Sequence, residues 1–209
     1  IVGDGAAGTE LAFAIQQRFA FEQLVNAQVT LIGNNAFPLS GLPERLRNTA
    51  VALLKQRGIS RLANRCAIEI HPGKVIFSDS TSLACDASLL VTGAAAPTWP
   101  SASGLACDEN GFVRVTPTLQ STSHPFVFAA GDVAAYAEPR PKSGVFAVRA
   151  GPLLADNLRS ALTGKTMQRW APQSKALYLI STGKHHALAA WGPFSSSGDW
   201  VWRWKDRID

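Results

Sequence analysis

The amino-acid sequence predicts an α/β protein that begins with a Rossmann-like nucleotide-binding domain. The chain opens on IVGDGAAG, in which Gly3, Gly5 and Gly8 follow two β-forming residues. Helix and strand patterns then alternate, as in a parallel sheet with crossover helices. A later apolar stretch, VFAAGD, ends on Gly131 and Asp132 and is typical of a strand that carries a carboxylate at its end.

The first part of the chain gives a regular succession of elements. Apolar residues at helical spacing predict a helix over 6–20, a buried strand over 29–32 and a second helix over 44–57. Between 66 and 92 short β-rich runs alternate with turn residues, which predicts an antiparallel meander. One more apolar strand, over 89–92, follows it.

The later elements are shorter and less regular. Strands are predicted over 112–116 and 126–130, and a helix over 144–163, with Pro152 either kinking it or starting it anew. The stretch 174–204 is rich in β-formers. Its alternating tryptophans are predicted to share one face of a strand, in the core or at an interface: Trp200, Trp202 and Trp204.

Composition and charge narrow the functional classes. Hydrophobic residues make up 46% and charged residues 17%, which excludes a disordered chain. The net charge of +5 comes from scattered Lys and Arg residues, so we expect anionic cofactors rather than a nucleic acid as partners. The three cysteines form no CxxC pair, which favours reduced thiols and a cytoplasmic location.

The spacing Gly3-x-Gly5-x-x-Gly8 has a specific chemical use. The first glycine permits a tight turn, the second lets the backbone approach a pyrophosphate, and the third lets the helix pack closely on the strand. The helix that follows then presents free N–H groups to the anion. A tight turn that binds nothing is the alternative.

One feature departs from the usual nucleotide-binding pattern. The acidic residue that holds the ribose 2′-hydroxyl normally ends the second strand, and Gly33 occupies that place. Asn34 and Asn35 follow, whereas Arg45 and Arg47 lie on the next helix. NADPH binding, relaxed specificity and loss of nucleotide binding all remain open.

The ordered motifs resemble the FAD-dependent pyridine nucleotide-disulfide oxidoreductase superfamily. The resemblance lies in LLVTGAAAP with Thr92 and Gly93, in GFVRVTPTLQSTSHPFVFAAGDVA, and in PKSGVFAVRAGPLLADNL. It implies that Gly131 and Asp132 bind the ribityl chain of FAD and that the helix around 147–149 lies near the flavin. It also implies that the opening glycines bind NAD(P)H and that Glu10 lies near the nicotinamide.

The same resemblance implies a domain plan. Residues 1–94 would form the NAD(P)H-binding domain, 95–164 the C-terminal part of an FAD-binding domain, and 165–209 the start of a small β-rich C-terminal segment or interface domain. The N-terminal FAD half of the family is missing, so we expect a fragment that does not bind FAD stably alone.

Within the superfamily, the chain most resembles type II NADH dehydrogenases and the NADH dehydrogenase-like region fused to selenide, water dikinase. The implied partners are a nicotinamide nucleotide, the missing FAD half, and a homodimer mate or the fused dikinase domain. The location is expected to be cytoplasmic, with peripheral attachment to the inner face of the membrane left open.

The expected function is an FAD-dependent NAD(P)H oxidoreductase that passes a hydride to FAD and electrons to a quinone or small acceptor. No catalytic residue is assigned, and His185 and His186 lack the partners of a metal site. A non-catalytic nucleotide-sensing or scaffolding module is the alternative, motivated by Gly33. A sulfide:quinone-type reductase using Cys107 is a third.

Overall fold

The computed structural model describes residues 1–208, which divide into two compact units. The first unit contains residues 1–93 and the chain from Lys175 onward, and the second contains Ala94–Ser174. The structure therefore groups the C-terminal segment with the opening domain. The domain plan implied by the family resemblance instead places the C-terminal segment in a separate domain that starts at residue 165. None of the helices in the described range is both long and apolar enough to cross a bilayer.

Five helices and ten strands form in the described chain. In chain order they are α1 (Ala6–Phe21), β1 (Thr30–Ile32), α2 (Glu44–Gln56), β2 (Ser60–Leu62), β3 (Ala67–His71), β4 (Lys74–Phe77), β5 (Ser82–Ala84), α3 (Trp99–Ala102), β6 (Val113–Arg114), β7 (Ala134–Ala135), α4 (Gly144–Thr163), β8 (Leu177–Ser181), β9 (Ala187–Trp191), β10 (Phe194–Gly198) and α5 (Asp199–Ile208).

The first unit is built on a narrow parallel sheet. β1 pairs with β2 in parallel, and Val2 bridges in parallel to Ile32 on one side and to Leu90 on the other. α1 and α2 are the crossover connections, and α1 buries Ala12 and Phe13 against the sheet. This confirms the predicted α/β class. The strand predicted over 89–92 is reduced to a single bridge at Leu90.

The meander is confirmed, with β3, β4 and β5 pairing antiparallel in order. A second antiparallel sheet, in the order β10–β9–β8, packs on α1 and α2. Their shared core consists of buried apolar side chains from both parts of the unit: Leu39, Leu46, Ala50, Ile180, Leu188 and Ala190.

The prediction for the three tryptophans is wrong, because they lie on helix α5 rather than on a strand. Trp200 and Trp204 are helical i, i+4 neighbours whose rings stack with centroids 6.3 Å apart. Val201 faces inward and is fully buried against β9. Alternating tryptophans fit a period of two, but in the helix Val201 is buried while Trp200 and Trp204 stay exposed. The preceding serines belong to β10.

The second unit has little regular sheet. β6 and β7 pair in parallel through two residues each, and a 3₁₀ turn at Gly131–Val133 precedes β7. The strand predicted over 126–130 is wrong, since only one bridge, Gln120 to Phe128, forms there. α4 carries Pro152 in its interior as a single helix.

Candidate nucleotide-binding site

Two glycines of the opening turn are required by steric contact. Gly3 has φ +109°, and a Cβ there would lie 2.5 Å from the carbonyl oxygen of Val91. A Cβ on Gly8 would lie 1.8 Å from the carbonyl oxygen of Gly3. The turn and the first turn of α1 therefore pack backbone on backbone, which only glycine permits.

Gly5 is different, because it faces open space. It precedes α1 with an extended backbone (φ −69°, ψ −168°), and nothing lies within 4 Å of the position of a Cβ. No side chain caps the helix, so the first N–H groups of α1 point toward that space without a partner. The arrangement fits the pyrophosphate of a dinucleotide, which would take the room that a Cβ would fill.

Thr92 and Gly93 lie at the same edge of the sheet. The backbone of Val2 forms hydrogen bonds with Leu89 and Val91. Thr92 and Gly93, which follow Val91, therefore lie beside the glycine turn. Space around the Cβ position of Gly93 is open. The structure therefore brings the two TG residues next to the turn, as expected where carboxyl ends of parallel strands meet.

Glu10 lies one turn further along α1, in the wall of an open cavity of about 820 Å³. Its Oε1 accepts a hydrogen bond of 2.6 Å from the backbone N–H of Ser181 at the end of β8. The ammonium of Lys205 is 3.6 Å from the same oxygen. The carboxylate is thus held in a fixed orientation beside the cavity, while its placement near a nicotinamide stays a prediction.

Sequence reasoning missed a buried ion pair at the end of β1. The carboxylate of Asp4, inside the glycine turn, lies directly over Gly33 and receives the guanidinium of Arg61 from β2 at 2.6 Å. Two local signals were present in the sequence: an acid inside the glycine motif and a glycine where the acid is usual. Their connection is a long-range contact.

In the second unit, Gly131 and Asp132 form the 3₁₀ turn before β7. Gly131 has φ +69°, its N–H donates to Tyr136 Oη at 3.0 Å, and a Cβ on it would meet Ala147 of α4 at 3.1 Å. Burial raises the pKa of Tyr136, the Gly131 N–H lowers it, and the Asp132 charge raises it. The turn therefore rests on the start of α4.

The carboxylate of Asp132 accepts no hydrogen bond from any described residue and stays open to a sugar hydroxyl. Lys142, from the loop before α4, donates to the carbonyl of Ala134 and lies 3.9 Å from the ring centre of Phe112. Burial lowers the pKa of Lys142, while Asp108 and Asp132 raise it. The residues present fit one side of a flavin site.

The histidine and cysteine side chains of the described residues contact their neighbours in different ways. No group of three His, Cys, Asp or Glu side chains comes together there. His185 stacks on Trp202 at 4.3 Å, and His186 hydrogen-bonds Thr182. All three cysteines are free thiols, and Cys107 contacts the carbonyl of Leu105.

Comparison with known proteins decides the family. A family model described as pyridine nucleotide-disulphide oxidoreductase matches residues 1–151. The chain belongs to this family. Pyridine nucleotide-disulphide oxidoreductases are flavoenzymes that use FAD and NAD(P)H. The match spans both the glycine turn of the first unit and the Gly131–Asp132 turn of the second.

Two curated proteins are similar to most of this chain. Ferroptosis suppressor protein 1 of Xenopus tropicalis is 28% identical over 90% of this chain and 52% of its own length. A type II NADH:quinone oxidoreductase of Haemophilus influenzae is 28% identical over 68% of this chain and 34% of its own. The chain thus spans about half the length, or less, of these relatives.

A solved structure shares the fold. The sulfide:quinone oxidoreductase of Aquifex aeolicus superposes with a TM-score of 0.75 and 16% identity, covering 99% of this chain and 55% of that one. At this identity the likeness concerns the fold alone.

Proposed function

We propose that the chain is the NAD(P)H-binding part, with a portion of the FAD-binding part, of an oxidoreductase that passes electrons from NAD(P)H through FAD to a quinone. The observation that carries the proposal is the glycine turn, with its open space at Gly5 and the uncapped start of α1. The type II NADH:quinone oxidoreductase among the similar proteins supports the acceptor class.

The chain's own residues would bind and orient. Backbone N–H groups at the start of α1 would hold the pyrophosphate, and the Glu10 carboxylate, fixed by the Ser181 N–H, would position the nicotinamide end. Asp132 would accept a hydrogen bond from the ribityl chain. The bound nucleotides supply hydride transfer from nicotinamide to flavin, and the protein contributes their alignment.

Calorimetric titration of the chain with NADH, NADPH and FAD tests the proposal. We expect saturable binding of a nicotinamide nucleotide and weak or no binding of FAD, because the second unit offers one side of a flavin site. Gly5→Val should abolish nucleotide binding, since its side chain occupies the space meant for the pyrophosphate. Gly151→Ala, also at an open Cβ position but on α4, is the matched control.

Failure of both NADH and NADPH to bind a chain shown to be folded by circular dichroism would contradict the reductase. It would favour the scaffolding module instead. Tight FAD binding would contradict the requirement for the N-terminal FAD half.

A finer proposal concerns the partner. SHPFVFAAGD and PQSKALYLISTG resemble the region fused to selenide, water dikinase, which supports electron delivery to a selenium compound handled by that enzyme. Reduction of a quinone and of selenite by the whole protein, measured side by side with NADH, separates the two acceptors.

We also propose peripheral attachment to a membrane surface from a cytoplasmic location, through α5. Trp200, Trp204 and Ile208 form an exposed stripe on this helix, with Arg203 and Arg207 on the same side. Indole rings and arginines suit the interface of an anionic bilayer. Co-sedimentation with phosphatidylglycerol vesicles should be lost in Trp200→Ser/Trp204→Ser. Binding equal to that of the wild type would refute the attachment.

A further inference from the structure

In nucleotide-binding domains of this type an acid normally ends the strand that corresponds to β1. The Asp4 carboxylate occupies the place of that acid. Gly33 follows β1 directly, and a Cβ on Gly33 would lie 1.9 Å from Asp4 Oδ2 and 2.5 Å from Oδ1. A side chain at position 33 would therefore require the Asp4 carboxylate to move. The carboxylate at this place thus comes from Asp4 in the glycine turn, and position 33, where the acid is usual, holds a glycine.

We propose that Asp4 accepts the hydrogen bond of the adenosine ribose 2′-hydroxyl and thereby selects NADH over NADPH. The inference rests on the proposed function, because it requires the glycine turn to bind a dinucleotide. Selectivity for NADH takes the place of the three possibilities raised by Gly33, which were NADPH binding, relaxed specificity and loss of nucleotide binding.

Arg61 fixes the carboxylate without using all of it. Its Nε and Nη2 both donate to Asp4 Oδ2, at 3.2 and 2.6 Å. Oδ1 receives no hydrogen bond from any residue that the structure describes. The Asp4 side chain keeps 7% of its surface open. A carboxylate oxygen with unused lone pairs is an acceptor for a sugar hydroxyl.

The same arginine cannot hold a 2′-phosphate. Its Nη1 donates to the carbonyl of Ala36 and its Nη2 also donates to that of Asn35, each at 2.9 Å. Four of its five N–H groups are thus engaged. Asp4 balances the charge of Arg61, and only 12% of the arginine side chain is exposed. Arg61 therefore has no free pair of N–H groups with which to bind a phosphate.

Arg65, which follows β2, is also engaged. Arg65 donates its backbone N–H to the carbonyl of Gly33, but its guanidinium is paired with Asp79. A 2′-phosphate at this edge would bring an anion to the Asp4 carboxylate, where partial burial strengthens the repulsion. A neutral ribose meets an acceptor instead.

Calorimetric titration with NADH and NADPH tests the inference. The wild-type chain should bind NADH at least about tenfold more tightly than NADPH, the difference expected from one hydrogen bond to a charged group. Asp4→Asn should lower that preference by about tenfold, since it removes the charge and releases Arg61. Asp86→Asn, an exposed acid of the same unit, should keep the wild-type ratio.

A second variant guards against loss of folding in Asp4→Asn. Asp4→Gly/Gly33→Asp moves the carboxylate to the end of β1 and frees the space that its Cβ needs, so it should restore the NADH preference.

An unchanged ratio in Asp4→Asn, or a wild-type preference for NADPH, would overturn this inference while the proposed nucleotide binding stands. Absence of binding of either nucleotide to the folded wild-type chain would overturn both.

Discussion

The two turns that we propose bind nucleotides are built in opposite ways. The turn at Gly3–Gly8 is made of backbone, with contacts so close that a single methyl group cannot enter at two of its glycines. The turn at Gly131–Asp132 offers one carboxylate between strands of two residues. The first turn presents a continuous stretch of backbone, whereas the second presents a single side-chain carboxylate.

The largest loss of stability is expected from a substitution that disrupts the glycine turn at Gly3–Gly8. Gly8→Ala should lower the free energy of unfolding by about 3 kcal/mol, because its methyl group would overlap the carbonyl of Gly3. Chemical denaturation followed by circular dichroism measures the change. Gly5→Ala, with no steric neighbour, should stay within about 0.5 kcal/mol of the wild type. Equal losses in the two variants would show that the close contact is not what requires glycine.

A smaller effect is expected where the Glu10 side chain joins helix α1 to the sheet of β8, β9 and β10. Glu10→Ala should lower the free energy of unfolding by about 1–2 kcal/mol, because the N–H of Ser181 loses its acceptor. Glu10→Gln retains an acceptor and should recover most of the loss. If both variants are equally destabilised, the ion pair with Lys205 rather than the hydrogen bond carries the effect.

The hairpin after Ser181 gives the first unit a pH dependence. Burial, and then the charge of Arg57, lower the pKa of His186 below its usual 6.5. Below pH 6.5 the unfolded chain takes up a proton that the folded chain resists, so stability is lost as the pH falls. His186→Asn should flatten the denaturation midpoint between pH 7 and 5, relative to wild type and to a His124→Asn control. An identical pH slope in all three proteins would contradict this role.

The smallest effect is expected on NADH affinity, from a substitution in the second turn. Asp132→Asn should leave NADH affinity unchanged in calorimetry, because the residues that we propose hold NADH all belong to the first unit. A change of more than about threefold, above the effect of an ordinary surface substitution, would contradict the independence of the two turns.

Local sequence patterns predicted the elements that local forces determine. α1, α2 and the meander followed from apolar periodicity and turn residues, and the glycine turn followed from its spacing. The apolar run 126–130 failed as a strand because it finds almost no pairing partner, and α5 failed because alternate tryptophans also fit helical neighbours. Asp4 was missed because its partners, Gly33 and Arg61, are brought to it only by the folded sheet.

The packing of the last sheet on α1 and α2 has a consequence for biosynthesis. Glu10 receives its hydrogen bond from a residue 171 positions later, and Leu46 and Ala50 are covered by side chains of β8 and β9. A nascent chain therefore holds these apolar faces uncovered until the ribosome has released β8 and β9. The glycine turn is translated long before β8 and β9, yet its helix is covered only when they emerge, and the intervening period is when chaperones have most to protect.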